Sequence, residues 1–241
     1  KKLIHTNIKR AFPDIDKKSL KEITSNMWNN YGRVFAEYMF IKKFRKENFN
    51  ENLIIEGKEI LEEIKKKNQK VVFISGHFSN FELMAMQIEK IGIKVTAIYR
   101  PLNNIFLNNI MVKIRKKYIC NHQIKKGIGG LKDLLKLSNQ GFSTALMIDQ
   151  RVSEGIKSKF FNENAFTTTI PAQLVKKFNL PVVPIFIDRF DGTKFKISIQ
   201  KPINFANDNS IEDITYKLNS VLEEMVFKNP NYWIWSHNRW K

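Results

Sequence analysis

Short β-branched runs alternate with segments of helical periodicity along most of the chain, and this alternation limits the fold more than any other feature. Val71-Val-Phe-Ile74 is an apolar, mostly β-branched run closed by Gly76. Before it come Leu53-Ile-Ile55, Gly57 and a helical stretch to about residue 67. After it, residues 81–91 read as helix, 95–99 as strand, 105–116 and 131–137 as helices, and 144–148 as a strand running into Asp149. A helix opened by Pro171 follows over 170–178, then a strand over 182–187, an edge or antiparallel strand over 195–199 and a helix over 211–227. Strands separated by helices pair through crossovers, so the pattern predicts an α/β fold with a largely parallel central sheet flanked by helices. In such sheets chemistry gathers beyond the carboxyl ends of the strands.

Upstream, Leu20, Ile23, Met27, Tyr31, Val34, Phe35 and Tyr38 recur at three- and four-residue steps, which predicts an N-terminal amphipathic helix over 17–43. Ser19 and Glu22 have the spacing of a capping box. No Pro/Ser/Gly-rich linker interrupts the sequence, so residues 1–241 read as one domain.

Hydrophobic residues at 43% and aromatics at 12% are ample for a packed core and exclude a disordered chain. No apolar run approaches the roughly 20 residues of a transmembrane helix. The sequence opens at Lys1 without an initiator Met, which leaves room for a membrane anchor upstream. Cys120 stands alone and has no internal disulfide partner. Lys plus Arg number 41 against 23 Asp plus Glu, a net charge of +18. That surplus excludes an acidic solvating protein and favours a polyanionic partner, whether nucleic acid, anionic lipid or acidic protein, without choosing among them. All but eight of the basic residues are lysine. Arginine grips carboxylate or phosphate with a planar fork, so the placement of Arg100, Arg151, Arg189 and Arg239 at strand ends or in an aromatic cluster is informative.

The segment richest in chemistry is Ile74-Ser-Gly-His-Phe-Ser-Asn-Phe-Glu82. His77 falls in a strand-to-helix turn, and Glu82 falls in the first turn of the next helix, close enough in sequence to fold back on the imidazole. A His-carboxylate pair of this kind serves as a general base. The local sequence equally allows a satisfied loop histidine with Glu82 complementing the helix dipole. Gly-His-Phe-Ser-Asn lacks the Gly-x-Ser-x-Gly elbow, so Ser79 is a weak candidate nucleophile, and Asn80 also reads as a residue that ties the turn. His77 and Glu82 do not form His-Glu-x-x-His, so no metal is expected, and no cofactor is implied. Trp233, Trp235 and Trp240 read as core, with a seat on a lipid headgroup layer as the alternative.

Several segments, in order, resemble the lipid A biosynthesis acyltransferases, the late lauroyl and myristoyl transferases of lipopolysaccharide assembly. Gly76-His-Phe-Ser-Asn-Phe-Glu82 resembles their Gly-His-x-Gly-Asn-Trp-Glu signature, a form of the His-x-x-x-x-Asp/Glu motif of glycerolipid acyltransferases. Tyr99-Arg-Pro101 and Met147-Ile-Asp-Gln150 are similar to further family segments, as are Phe160-Phe-Asn-Glu-Asn-Ala-Phe-Thr-Thr168 and Asn231-Tyr-Trp-Ile-Trp-Ser-His-Asn-Arg-Trp-Lys241. The sequence departs from the pattern at Ser79 and Phe81, in place of Gly and Trp, and at Asn162, in place of Gly. The Phe-Pro-Glu-Gly-Thr block of glycerol-phosphate acyltransferases is absent.

The resemblance implies a single acyltransferase domain that moves a fatty acyl group from acyl carrier protein to a hydroxyl of a Kdo-modified lipid A precursor. His77 and Glu82 would be the catalytic pair, and Asn80, Arg100, Asp149, Gln150 and Arg151 would contact substrate or line the cleft. The implied partners are the acidic carrier protein, an anionic glycolipid acceptor and the membrane surface, with no nucleic acid. The implied location is the cytoplasmic face of a bacterial inner membrane, with a membrane helix expected before Lys1. Three other readings stand beside this one: an acyltransferase acting on another glycolipid such as a phosphatidylinositol mannoside, a non-catalytic basic protein that binds membrane or nucleic acid, and a hydrolase dependent on Ser79.

Overall fold

The structure, a computed structural model, describes residues 1–46 and 51–241. The chain opens with α1 (Lys2–Ala11) and α2 (Lys17–Glu37), continues through a 3-10 turn (Tyr38–Phe40) into α3 (Ile41–Arg45), and then reaches β1 (Leu53–Glu56), α4 (Lys58–Lys66) and β2 (Val72–Ser75). Next come α5 (Glu82–Ile91), β3 (Val95–Tyr99), α6 (Ile105–Tyr118), β4 (His122–Lys125), α7 (Ile128–Asn139) and β5 (Ser143–Met147). A hairpin of β6 (Ile156–Phe160) and β7 (Glu163–Thr167) precedes α8 (Ile170–Phe178), β8 (Val182–Phe190), β9 (Lys194–Ile199) and α9 (Ile211–Lys228).

The central sheet has the order β1-β9-β8-β2-β5-β3-β4. Strands β8, β2, β5, β3 and β4 run parallel to one another, while β9 is antiparallel to β8 and β1 pairs in parallel with β9. The α/β architecture with a mostly parallel sheet is therefore as the alternation predicts. β2 lies in the middle of the sheet, and all four of its residues are buried, as expected of a strand covered by helices on both faces.

Two local expectations are corrected. Residues 17–43 do not form one helix, because α2 tightens into the 3-10 turn at Tyr38 before α3. The cap of α2 is Asp16, whose carboxylate accepts from the backbone of Lys18 at 2.7 Å and Ser19 at 3.0 Å, so Ser19 lies inside the helix rather than at its cap. Of the two readings for residues 195–199, the antiparallel one holds: β9 pairs antiparallel with β8, and β1 covers its outer side.

Candidate active site

The site follows from strand register. β2 and β5 are parallel neighbours with Ser75 opposite Met147, and the Ile148 amide extends the ladder by donating to the Ser75 carbonyl at 2.9 Å. Two residues beyond that pair, the same offset brings His77 to Asp149. His77 Nδ1 lies 2.8 Å from Asp149 Oδ1, and the His77 amide donates to Oδ2 at 2.7 Å. Trp233 Nε1 donates to the same Oδ2 at 3.0 Å. Gly76 makes the approach possible: a Cβ there would sit 2.7 Å from the Phe78 ring and 3.2 Å from Asp149 Oδ2.

Asp149 is fully buried. Burial favours the neutral acid, yet the charge and hydrogen bonds of His77 and the indole of Trp233 outweigh it and hold the carboxyl below its ordinary value. An ionised carboxylate only accepts, so Nδ1 carries the ring proton and Nε2 is left as the basic nitrogen. Phe81 packs its ring against the imidazole, with centroids 4.7 Å apart and planes at 71°.

Glu82 has other partners. Its Oε1 accepts from Arg115 Nε at 2.8 Å, from Arg115 Nη2 and from the Tyr38 hydroxyl. Among the described residues no hydrogen bond or ion pair joins His77 to Glu82. The expected pairing through the helix turn is replaced by one across the strands, because Asp149 is in register with the imidazole while Glu82 opens α5 facing α6. Burial alone would lower the Arg115 guanidinium, but the adjacent Glu82 carboxylate outweighs it and raises it above its ordinary range. Burial, reinforced by the Glu82 charge, pushes the Tyr38 phenol up.

His77, Glu82 and Arg115 all line one cavity of about 560 Å³, within the usual size of a small-molecule site. Its wall is mixed: Phe73, Met84, Ile88, Ala97, Leu146 and Ile185 give it an apolar part, beside the charged and polar groups of His77, Glu82 and Arg115. Arg100 and Gln150 line it as expected; Arg100 is exposed, with no acidic partner among the described residues. Arg151 also lines it, with Nε tethered to the Lys241 carbonyl at 3.0 Å and its amide donating to His237 Nε2 at 2.9 Å.

Two expected contact residues stand behind the cavity instead of on its surface. Asp149 is sealed beneath His77. Asn80 is 1% exposed and donates to Glu37 Oε2 at 2.8 Å, while Arg189 clamps the same carboxylate with Nη1 at 2.5 Å and Nη2 at 3.0 Å. Asn80 thus ties the His77 loop to α2. Ser79 is buried, and among the described residues its hydroxyl has no hydrogen-bond partner, so none of them stands ready as a base to activate it. Trp233 and Trp235 are buried, with the Trp235 indole donating to the Pro230 carbonyl at 2.7 Å, so neither has a free edge for a headgroup layer. Arg115 and His237 are not among the residues selected from the sequence, and Trp233 reads there only as core or a headgroup seat. The two C-terminal residues lie in the segment that carries the family resemblance, whereas nothing local marks Arg115. Among the described residues no three His, Cys, Asp or Glu side chains group as a metal site, and no helix is long and apolar enough to cross a membrane.

The fold resembles the crystal structure of the 1-acyl-sn-glycerophosphate acyltransferase PlsC from Thermotoga maritima, with a TM-score of 0.51 and 16% identity over 95% of this chain and 89% of that one. The Escherichia coli lipid A biosynthesis myristoyltransferase is 22% identical over 235 residues, which is 95% of this chain and 71% of the relative. The Haemophilus influenzae lipid A biosynthesis acyltransferase is 24% identical over 242 residues, 98% of this chain and 75% of the relative. A family model described as bacterial lipid A biosynthesis acyltransferase matches residues 1–241. From first residue to last, the chain belongs to the bacterial lipid A biosynthesis acyltransferase family.

Proposed function

We propose that this protein transfers a fatty acyl group from an acyl carrier protein thioester to a hydroxyl of a Kdo-modified lipid A precursor, at the cytoplasmic face of a bacterial inner membrane. The observation that carries this reading is the His77–Asp149 unit at a cavity of about 560 Å³ whose wall is in part apolar. His77 Nε2 takes the acceptor's hydroxyl proton as the oxygen attacks the thioester carbonyl carbon. The tetrahedral intermediate collapses with cleavage of the C–S bond, and the imidazolium returns the proton to the departing thiolate. Asp149 holds the tautomer and stabilises the imidazolium, a contribution of about 10²- to 10⁴-fold in rate for base catalysis of this kind. No covalent acyl-enzyme is needed.

Glu82 acts in this scheme by aiming Arg115. A guanidinium held in a partly desolvated cavity stabilises the negative charge that develops on the carbonyl oxygen, where a fixed cation is worth far more than in water. Arg100, exposed at the same cavity, suits an acceptor phosphate. The test is to incubate purified protein with a series of acyl carrier thioesters and a panel of acceptors, including lipid A precursors and a phosphatidylinositol mannoside, and to weigh the products by mass spectrometry. A mass increase of one acyl chain on the lipid A precursor is expected. Acylation of the mannoside alone, or release of free fatty acid without transfer, would overturn the reading.

A further inference from the structure

Helix α6 is unusual in burying none of its residues although its first half carries Ile105, Phe106, Leu107, Ile110 and Met111. Ile105 is 72% exposed, Phe106 82% and Ile110 53%. Its second half is basic, with Lys113, Lys116 and Lys117 all exposed. A second segment repeats this order: Phe35 at 80% and Met39 at 84% precede Phe40 and then the exposed Lys42 and Lys43. None of these five lysines has a carboxylate partner among the described residues. Large apolar side chains exposed together at two helix ends, beside lysines without carboxylate partners, suit an interaction site.

Both segments adjoin the cavity. Leu102 and Asn103, just before α6, line it, as does Arg115 within the helix. Tyr38, between Phe35 and Met39, donates to Glu82 and lies 3.2 Å from Arg115 Nη2. The geometry points to a two-pronged docking surface for an anionic lipid bilayer, in which the apolar tips of α6 and of the α2 end enter the acyl layer and the lysines meet the headgroups, with the cavity adjoining both prongs.

A bilayer fits better than another protein because each prong changes from apolar to cationic along its own direction, which matches the change from acyl chain to headgroup with depth. Such a seat delivers a lipid acceptor to His77 without its leaving the membrane. That consequence rests on the acyl-transfer reading; the docking surface does not.

Co-sedimentation with vesicles of phosphatidylethanolamine and phosphatidylglycerol tests the surface without turnover. The double variants Ile105→Ser/Phe106→Ser and Phe35→Ser/Met39→Ser should each bind at least 10-fold more weakly, with unchanged circular dichroism. Replacing Lys113, Lys116 and Lys117 by Glu should abolish the preference for phosphatidylglycerol over phosphatidylcholine. Tyr216→Ser, at a 54% exposed aromatic on α9, should bind as the parent does. Parent-like binding by both double variants would overturn the proposal, as would an equal loss in the Tyr216 control. So would two other results obtained with vesicle binding intact: loss of a lipid-free dimer, which would make a second copy the occupant, or loss of carrier-protein binding, which would make the acidic protein the occupant. Failure of acyl transfer beside intact vesicle binding would count against the proposed reaction alone.

Discussion

His77 and Asp149 are separated by 72 residues in sequence yet occupy matching positions beyond two adjacent parallel strands, with Nδ1 and Oδ1 2.8 Å apart. The imidazole is held twice by one carboxylate, through its ring and through its own backbone amide, and that carboxylate is held again by Trp233. The orientation of the base is thus set by the central sheet, the most buried part of the molecule, and the loop only carries it.

Asp149→Asn is expected to lower acyl transfer by about 10²- to 10⁴-fold while the fold survives. An amide presents either an oxygen or an NH₂ to Nδ1 but no charge to stabilise imidazolium, and one of its faces must meet the donating indole and amide. Steady-state turnover with circular dichroism checks this. Parent-like kcat would remove Asp149 from the mechanism.

The same carboxylate makes acid stability predictable. Its pKa is lower in the folded state than in the unfolded chain, so its contribution is complete above about pH 4 and is lost as pH falls through the folded value. Urea midpoints measured from neutral pH downward should therefore fall more steeply for the parent than for Asp149→Asn, with the two curves converging in acid. Parallel curves would show that the carboxylate is not preferentially ionised in the fold.

Glu82→Gln leaves Arg115 with its charge but without its counterion, at a side chain only 15% exposed. Removing one member of a largely buried pair costs about 3–5 kcal/mol, so a clear drop in the unfolding midpoint should accompany reduced transfer. Arg115→Lys should recover only part of the activity, because an ammonium cannot reproduce the contacts of both Nε and Nη2 with one oxygen. In a double-mutant cycle the pair should couple in both stability and rate. Independent, additive losses would separate Glu82 from Arg115 in function.

The parallel core was legible because strands buried on both faces are written as plain apolar runs, as in Val71-Val-Phe-Ile74 and Val182-Val-Pro-Ile-Phe-Ile187. The β6–β7 hairpin was not, because Lys157 and Lys159 alternate with Ser158 and Phe160 and carry little hydrophobic signal. β4, His-Gln-Ile-Lys, has a single β-branched residue. His77, Glu82, Arg100 and Asp149 were all visible as candidates at strand or helix ends. Which carboxylate meets the imidazole was not, since the answer depends on the register between β2 and β5, and register is set by packing across the whole sheet.

Two departures from the family pattern coincide with left-handed backbone. Asn162, where Gly is usual, has φ of +61°, and Ser79, where Gly is usual, has φ of +41°. Asn tolerates this region through local hydrogen bonding, but Ser pays the steric cost of its Cβ. Ser79 also buries a hydroxyl that has no partner among the described residues. Ser79→Gly should relieve both, a gain of about 1 kcal/mol in the folded state before the unfolded chain is considered. The added backbone freedom of the unfolded chain works against this gain by roughly 0.5–1 kcal/mol, so a modest rise in the unfolding midpoint is the expected net result. Turnover should stay within about twofold of the parent, because neither the Asn80 tether nor the His77–Asp149 bond involves the Ser79 side chain. Loss of activity in the folded variant would instead assign the hydroxyl a direct part in the chemistry.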